Sequence, residues 1–298
     1  MNAASPLDLI NLTPLMVLTI GRPEVVVGLL DGPVAADHPD LDAERVREID
    51  GTSHDGRGRS RGLACRHGTF VAGILCGKRG AAAPAICPGC TLLVRPIFFD
   101  DGADRQLVPT ASPEQLASAV VDCVDAGARV LNLSAALVHP PSDKEERMLT
   151  AALDYAVCRG AIAVAAAGNQ GSVGSTAITR HAAVIAVTAC DRRGWPLPQS
   201  NLGYTVGRRG LSAPGEGIIS LGMDDEVSPA GGTSVAAPFV TGAIALVWSM
   251  FPRATAGNLR KAIIHAHRQR QPTVVPPLLN AMAIHDAMAD VRGGRLLG

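Results

Sequence analysis

The chain predicts an α/β fold in three layers, a mostly parallel central sheet covered by helices on both faces. Three observations point there. Short uninterrupted apolar runs, the pattern of strands buried on both sides, recur along the sequence; helical segments opened by capping boxes lie between them; and the alternation continues without a linker, an internal repeat or a low-complexity stretch.

The elements follow in order. Glu24-Val25-Val26-Val27-Gly28-Leu29-Leu30 reads as a buried strand ending in Asp31-Gly32-Pro33, and His67 to Leu75 as a short apolar helix with the imidazole at its mouth. Residues 91–98 form the next strand. Ser112-Pro113-Glu114-Gln115 is a capping box with proline at the first helical position, opening a helix that runs to Ala126 and stops at Gly127. A strand over 129–134 follows, then a second capping box, Ser142-Asp143-Lys144-Glu145, whose helix runs to about Arg159. Strands over 161–167 and 183–189 and a long apolar helix over 234–251, halted by Pro252, complete the series. Residues 1–22 read as an N-terminal extension and 23–298 as a single domain.

Bulk properties narrow the function. Lys+Arg and Asp+Glu are equal at 27 each in 298 residues, which removes any electrostatic reason to expect nucleic acid or an anionic membrane as partner. No window of about 18 uninterrupted apolar residues marks a membrane span. Residues 12–20 are apolar but broken by Thr13 and Pro14, with no basic region before them and no small-residue cleavage site, so the expected location is the cytoplasm.

Four positions carry chemistry. Gly231-Gly232-Thr233-Ser234 presents a hydroxyl between a glycine turn and the start of an apolar helix, whose unpaired N–H groups favour developing negative charge. Asp31 sits at the C-terminal tip of a strand, where sites on open α/β sheets gather. His67 offers a base, and a position at a helix mouth disfavours the imidazolium. The strand over 161–167 delivers Gly168-Asn169, whose amide NH₂ can donate to an oxyanion. Each has a plainer reading: Ser234 as an N-cap, Asp31-Gly32 as a turn, His67 as a cap or core residue, Asn169 as a loop-closing side chain.

The local motifs favour the joint reading. Asp31-Gly-Pro-Val-x-x-x-His38-Pro39-Asp40-Leu41, His67-Gly-Thr-x-Val-Ala-Gly, Ala-Ala-Gly168-Asn169 and Gly232-Thr233-Ser234-x-Ala236-x-Pro238 resemble the signatures of the subtilases, and the resemblance spans residues 25–287. It implies a subtilisin-like serine endopeptidase domain with Asp31, His67 and Ser234 as catalytic triad and Asn169 in the oxyanion hole. It also implies substrate contacts at Ser134, Ala135, Ala136, Gly168 and Thr233, and a strand after Ser134 that pairs with the substrate backbone. Ala135-Ala136 stand where the family typically has glycines, which puts cleavage after large aromatic residues in doubt. The loop over 171–181, near Thr176, is expected to supply the pocket floor.

Asp31-Gly-Pro-Val, the stretch over 88–98, Cys158 and the stretch from Gly203 to Glu216 are similar to the PatA-type proteases of cyanobactin pathways, which remove leader peptides from ribosomally made, modified peptides. The expected partner is therefore a precursor peptide, with no nucleic acid, membrane or cofactor. A broad degradative intracellular subtilisin and a peptide-binding pseudoprotease are the rival readings.

Seven cysteines are present. Cys65, Cys76, Cys87 and Cys90 read as thiols or as one or two disulfides, Cys87-Pro88-Gly89-Cys90 only weakly as a metal or redox pair, and Cys123, Cys158 and Cys190 as small core residues. Asp37, Asp40 and Asp42 lack the spacing of a calcium loop and read as a surface turn, so no metal is expected. The basic, glycine-rich loop over 50–66 is either solvated or a docking surface for an acidic leader.

Overall fold

Alternate residues along a strand face opposite sides of a sheet, and here the two sides collect two separate cores. A computed structural model describes residues 5–49, 62–98, 110–134, 136–137, 140–223, 227–268 and 273–292. Its main sheet has seven strands: β1 (Val26–Asp31), β2 (Val46–Glu48), β3 (Thr91–Pro96), β5 (Val130–Leu133), β7 (Ile162–Ala166), β8 (Val184–Cys190) and β9 (Leu211–Pro214). They lie in the order β2-β3-β1-β5-β7-β8-β9, and every neighbouring pair is parallel.

Val27, Leu29, Val130, Ile162 and Val164 point to one face, where they pack with α3 (Leu63–Cys76) and α8 (Thr233–Met250). Leu30, Leu131, Leu133, Ala163 and Ala165 point to the other, against α4 (Pro113–Asp125) and α5 (Asp143–Cys158). The three expected layers are therefore present. Both capping boxes form as read: Ser112 with Gln115 at the start of α4, and Ser142 with Glu145 at the start of α5.

The chain runs from β1 to β3 on one side and later to β5 on the other, so the sheet changes direction around β1. Crevices open beyond the carboxyl ends of strands at such a switch point. Asp31 ends β1 there, Ser134 follows β5, and Gly168 and Asn169 follow β7.

Two smaller sheets add to this frame. β10 (Ile218–Leu221) pairs antiparallel with β11 (Val227–Ala230), just before the glycines that open α8. β4 (Thr110–Ala111) pairs in parallel with β6 (Ala136–Leu137), in the register Thr110↔Ala136.

The helix α8 is long and apolar enough to cross a membrane by length and composition alone, although no such segment is expected from the sequence; in the fold it is buried. Its neighbour α3 is equally a core helix, so catalytic groups near the starts of both are carried on the most deeply buried helices of that layer. The N-terminal segment joins the same core: Ile10, Leu12 and Leu15, in and before α2 (Leu12–Leu18), are fully buried, packed with α8 and α10 (Ala281–Arg292).

Candidate active site

The site begins with a backbone contact. A Cβ on Gly68 of α3 would lie 2.3 Å from the Pro33 carbonyl oxygen and 2.5 Å from that of Gly32, so only glycine lets the helix press against the turn after β1. That approach brings the next-door His67 to Asp31. His67 Nδ1 and Asp31 Oδ1 are 2.7 Å apart, and His67 Nε2 lies 3.1 Å from Ser234 Oγ. Asp31 is fully buried, and the same Oδ1 accepts the Gly32 N–H at 2.7 Å. The ring of Phe98 stands edge-on to the imidazole, centroids 6.2 Å apart.

The position of His67 corrects the sequence reading. It is the fifth residue of α3, which starts at Leu63, so it does not sit at the helix mouth and the dipole does not govern its charge. Burial of the ring lowers its proton affinity, but the Coulombic pull of Asp31 and the hydrogen bond to it outweigh that loss, and the pKa is raised above 6.5. A carboxylate that holds Nδ1–H leaves Nε2 as the acceptor that faces the hydroxyl.

Ser234 is the second residue of α8. The N-cap is Gly232, with φ +115°, which has no side chain to cap the helix, so the plainer reading of Ser234 as a cap does not hold. Gly232 also leaves room for Asn169, whose Oδ1 would be 3.1 Å from an added Cβ. Pro238, within the helix, has no N–H to return to the Ser234 carbonyl four residues earlier. Ser134 takes that role: its Oγ donates to the Ser234 carbonyl at 3.4 Å. Behind it, Asn132 Nδ2 donates to Ser134 Oγ at 2.7 Å, and Thr241 Oγ1 donates to Asn132 Oδ1 at 2.8 Å. This buried polar line ties β5 to α8, and neither Asn132 nor Thr241 is evident as a site residue from the sequence.

Asn169 lies exposed on the loop after β7. Its Oδ1 accepts the backbone N–H of Thr233 at 2.9 Å and the Thr233 hydroxyl at 3.1 Å. A backbone N–H can only donate, so the amide oxygen must face Thr233 and the NH₂ is left on the other side of the group. Thr233 Oγ1 in turn accepts the Gly168 N–H at 3.1 Å. Asp31, His67, Ser234 and Asn169 are thus assembled at one place, with Ser134, Gly168 and Thr233 bonded around them.

Ala135 and residues 50–61 lie outside the described residues; the end of the loop read over 50–66 is instead helical, since α3 begins at Leu63. Ala136 belongs to β6, which takes the chain's own β4 as a partner. The Thr176 hydroxyl caps α6 (Ala177–Arg180), where it accepts the Thr179 N–H. Asp42 forms a surface turn, accepting the Glu44 N–H at 3.1 Å and approaching Arg45 at 3.9 Å. The seven cysteines are present as thiols. Cys158 is exposed on α5, against the expectation of a core position, because it falls on the helix face turned from the sheet. Hydrogen bonds among neighbouring thiols and burial push the Cys87 and Cys90 thiols well up, which makes them poor nucleophiles.

The profile of the Subtilase family matches residues 22–280. A thermophilic serine proteinase from Bacillus sp. (strain AK1) is 32% identical over 235 residues, covering 78% of this chain and 54% of its own length. Thermitase from Thermoactinomyces vulgaris is 27% identical over 244 residues, covering 80% of this chain and 78% of its own. The chain spans 54%, 60% and 36% of three of the curated relatives it matches. Among solved structures, the prenylagaramide maturation protease PagA superimposes with a TM-score of 0.79 at 25% identity, covering 93% of this chain and 98% of that one. A mutant of the protease domain of PatA gives a TM-score of 0.79 at 30% identity, covering 92% and 97%.

Proposed function

The chain belongs to the subtilase family, and from that premise we propose that it is a serine endopeptidase that removes a leader from a ribosomally made precursor peptide. The observation that carries the chemistry is the continuous path from Asp31 through His67 to Ser234, 2.7 and 3.1 Å in its two steps. Ser234 Oγ attacks the scissile carbonyl carbon and its proton passes to His67 Nε2. The imidazolium so formed is stabilised by Asp31, which stays ionised. The carbonyl oxygen becomes an oxyanion and receives hydrogen bonds from the Asn169 NH₂ and the Ser234 N–H. As the C–N bond breaks, His67 returns the proton to the leaving amine; a water molecule, activated by the same base, then releases the acyl group.

The maturation reading draws on the maturation proteases PagA and PatA, whose solved chains match this one over nearly their full length. The substrate enters as an extended strand beside the β4–β6 pair, in line with strand addition at an open sheet edge. A broad degradative endopeptidase is the rival reading, since the curated relatives include a thermophilic serine proteinase and a subtilisin. Mass spectrometry of products separates these readings, with leader-bearing precursor peptides and casein offered in parallel. One Ser234-dependent cut at the leader boundary, with casein intact, is the expected result. Many casein fragments overturn the maturation role, and no Ser234-dependent cleavage of either substrate overturns the endopeptidase.

A further inference from the structure

Asn169 hangs on a loop, and the side chain that holds the loop is not one the sequence singles out. Asn201 is 6% exposed, in the segment that crosses from β8 towards α7 (Tyr204–Arg209). Its Oδ1 accepts the Gln170 N–H at 3.0 Å, the Ser172 N–H at 3.1 Å and the Ser172 hydroxyl at 3.0 Å. Its Nδ2 donates to the Ala167 carbonyl at 3.1 Å and to Gln170 Oε1 at 2.7 Å. The backbone adds a further bond, Asn201 N–H to the Gly168 carbonyl at 2.9 Å. The orientation of the amide is dictated by its partners, since two backbone N–H groups can only donate and a carbonyl can only accept.

Asn201 therefore holds residues 167, 170 and 172 through its side-chain amide and residue 168 through its backbone N–H, on both sides of Asn169, whose side chain it does not engage. The contact is close enough to constrain the chain: Gly168 has φ +104°, and a Cβ there would lie 2.3 Å from Asn201 Nδ2. Thr233 restrains the Asn169 side chain, while Asn201 restrains the backbone on either side of it. An oxyanion donor is effective only when its position is set before the charge develops, and a misplacement on the order of 1 Å is costly.

We infer that Asn201 is a positioning residue for the oxyanion hole, acting through Asn169. The role deepens the endopeptidase reading above and presupposes it. The test is the second-order rate at which a fluorophosphonate labels Ser234. In that reaction an Oγ–P bond forms, the P–F bond breaks, fluoride leaves and the hydroxyl proton goes to His67. The phosphoryl oxygen uses the oxyanion donors, and no peptide specificity intervenes.

Wild type, Asn169→Ala, Asn201→Ala, Asn201→Asp and the Asn169→Ala/Asn201→Ala double variant are compared, each shown folded by its thermal transition. Asn169→Ala is expected to slow labelling by about 10²–10³ and Asn201→Ala by about 10–10². The double variant is expected to react within about threefold of Asn169→Ala alone, because a residue acting through a missing group has nothing left to lose. Asn201→Asp keeps the accepting oxygen for Gln170 and Ser172 and is expected to recover part of the rate. Multiplied losses in the double variant, or an Asn201→Ala rate equal to wild type, overturn the inference while leaving the endopeptidase intact. A wild-type chain that does not label at all overturns the endopeptidase reading itself.

Discussion

His67 sits between opposed influences, loss of hydration that favours the neutral ring and the buried carboxylate of Asp31 that favours the cation, and the carboxylate prevails. Because a protonated Nε2 cannot accept from Ser234, kcat/KM is expected to fall on the acid side, with a midpoint above 6.5. Asp31→Asn removes the attraction and is expected to move that midpoint down and to lower turnover by about 10⁴, which a pH–rate profile measures. The linkage has a definite sign. A pKa raised in the folded state gives a stabilisation that is complete below the unfolded value of about 6.5 and is lost as pH rises through the folded one. At this scale the sequence is informative where a group ends or opens an apolar run: Asp31 at the end of β1, Asn169 after β7 and Ser234 at the start of α8 are all readable. Asn132, Thr241 and Asn201 are not, because each acquires its role from partners distant along the chain, and a polar residue between two strands carries no mark of what it will touch.

At the scale of elements, the site depends on how closely α3 approaches the end of β1. Gly68→Ala is expected to fail there, since its Cβ meets backbone oxygens that cannot rotate away. A loss of about 1–3 kcal/mol in stability and at least about tenfold in activity is expected, read by thermal unfolding and labelling of Ser234. The long elements are legible in the sequence with their capping chemistry, as α4 and α5 show, because propensity and caps act locally. The run over 91–98 stops as a strand at Pro96, and the two-residue strands β4 and β6 escape notice because two residues show no periodicity. The apolar helix at His67 is recognisable, but its start, four residues earlier at Leu63, is not marked by a capping side chain, and the charge assigned to the imidazole changes with it.

At the scale of the molecule, the N-terminal segment is part of the core and lies far from the nucleophile. The Arg22 N–H donates to Ser249 Oγ at 3.1 Å. Ser249 lies fifteen positions after Ser234 on the same helix, about 22 Å along α8. Arg79 fastens this segment to the loop after α3, donating to the carbonyls of Met16, Thr19, Ala85 and Ile86. Leu15→Ala, at a fully buried position, is expected to cost about 2–5 kcal/mol in denaturant unfolding while leaving the rate of Ser234 labelling unchanged under conditions where the protein stays folded. The layered sheet is legible in the alternation of apolar runs; the docking of residues 10–15 onto α8 and α10 is not, since an apolar patch broken by Thr13 and Pro14 does not declare its partner. Catalysis by this chain requires one hydroxyl, among all it carries, to be activated by a neighbouring base. Peptide mapping of the fluorophosphonate-treated protein measures this directly: a single adduct on Ser234, absent in Ser234→Ala and strongly slowed in His67→Ala, is the predicted result, and an unmodified Ser234 in the folded wild-type protein would contradict it.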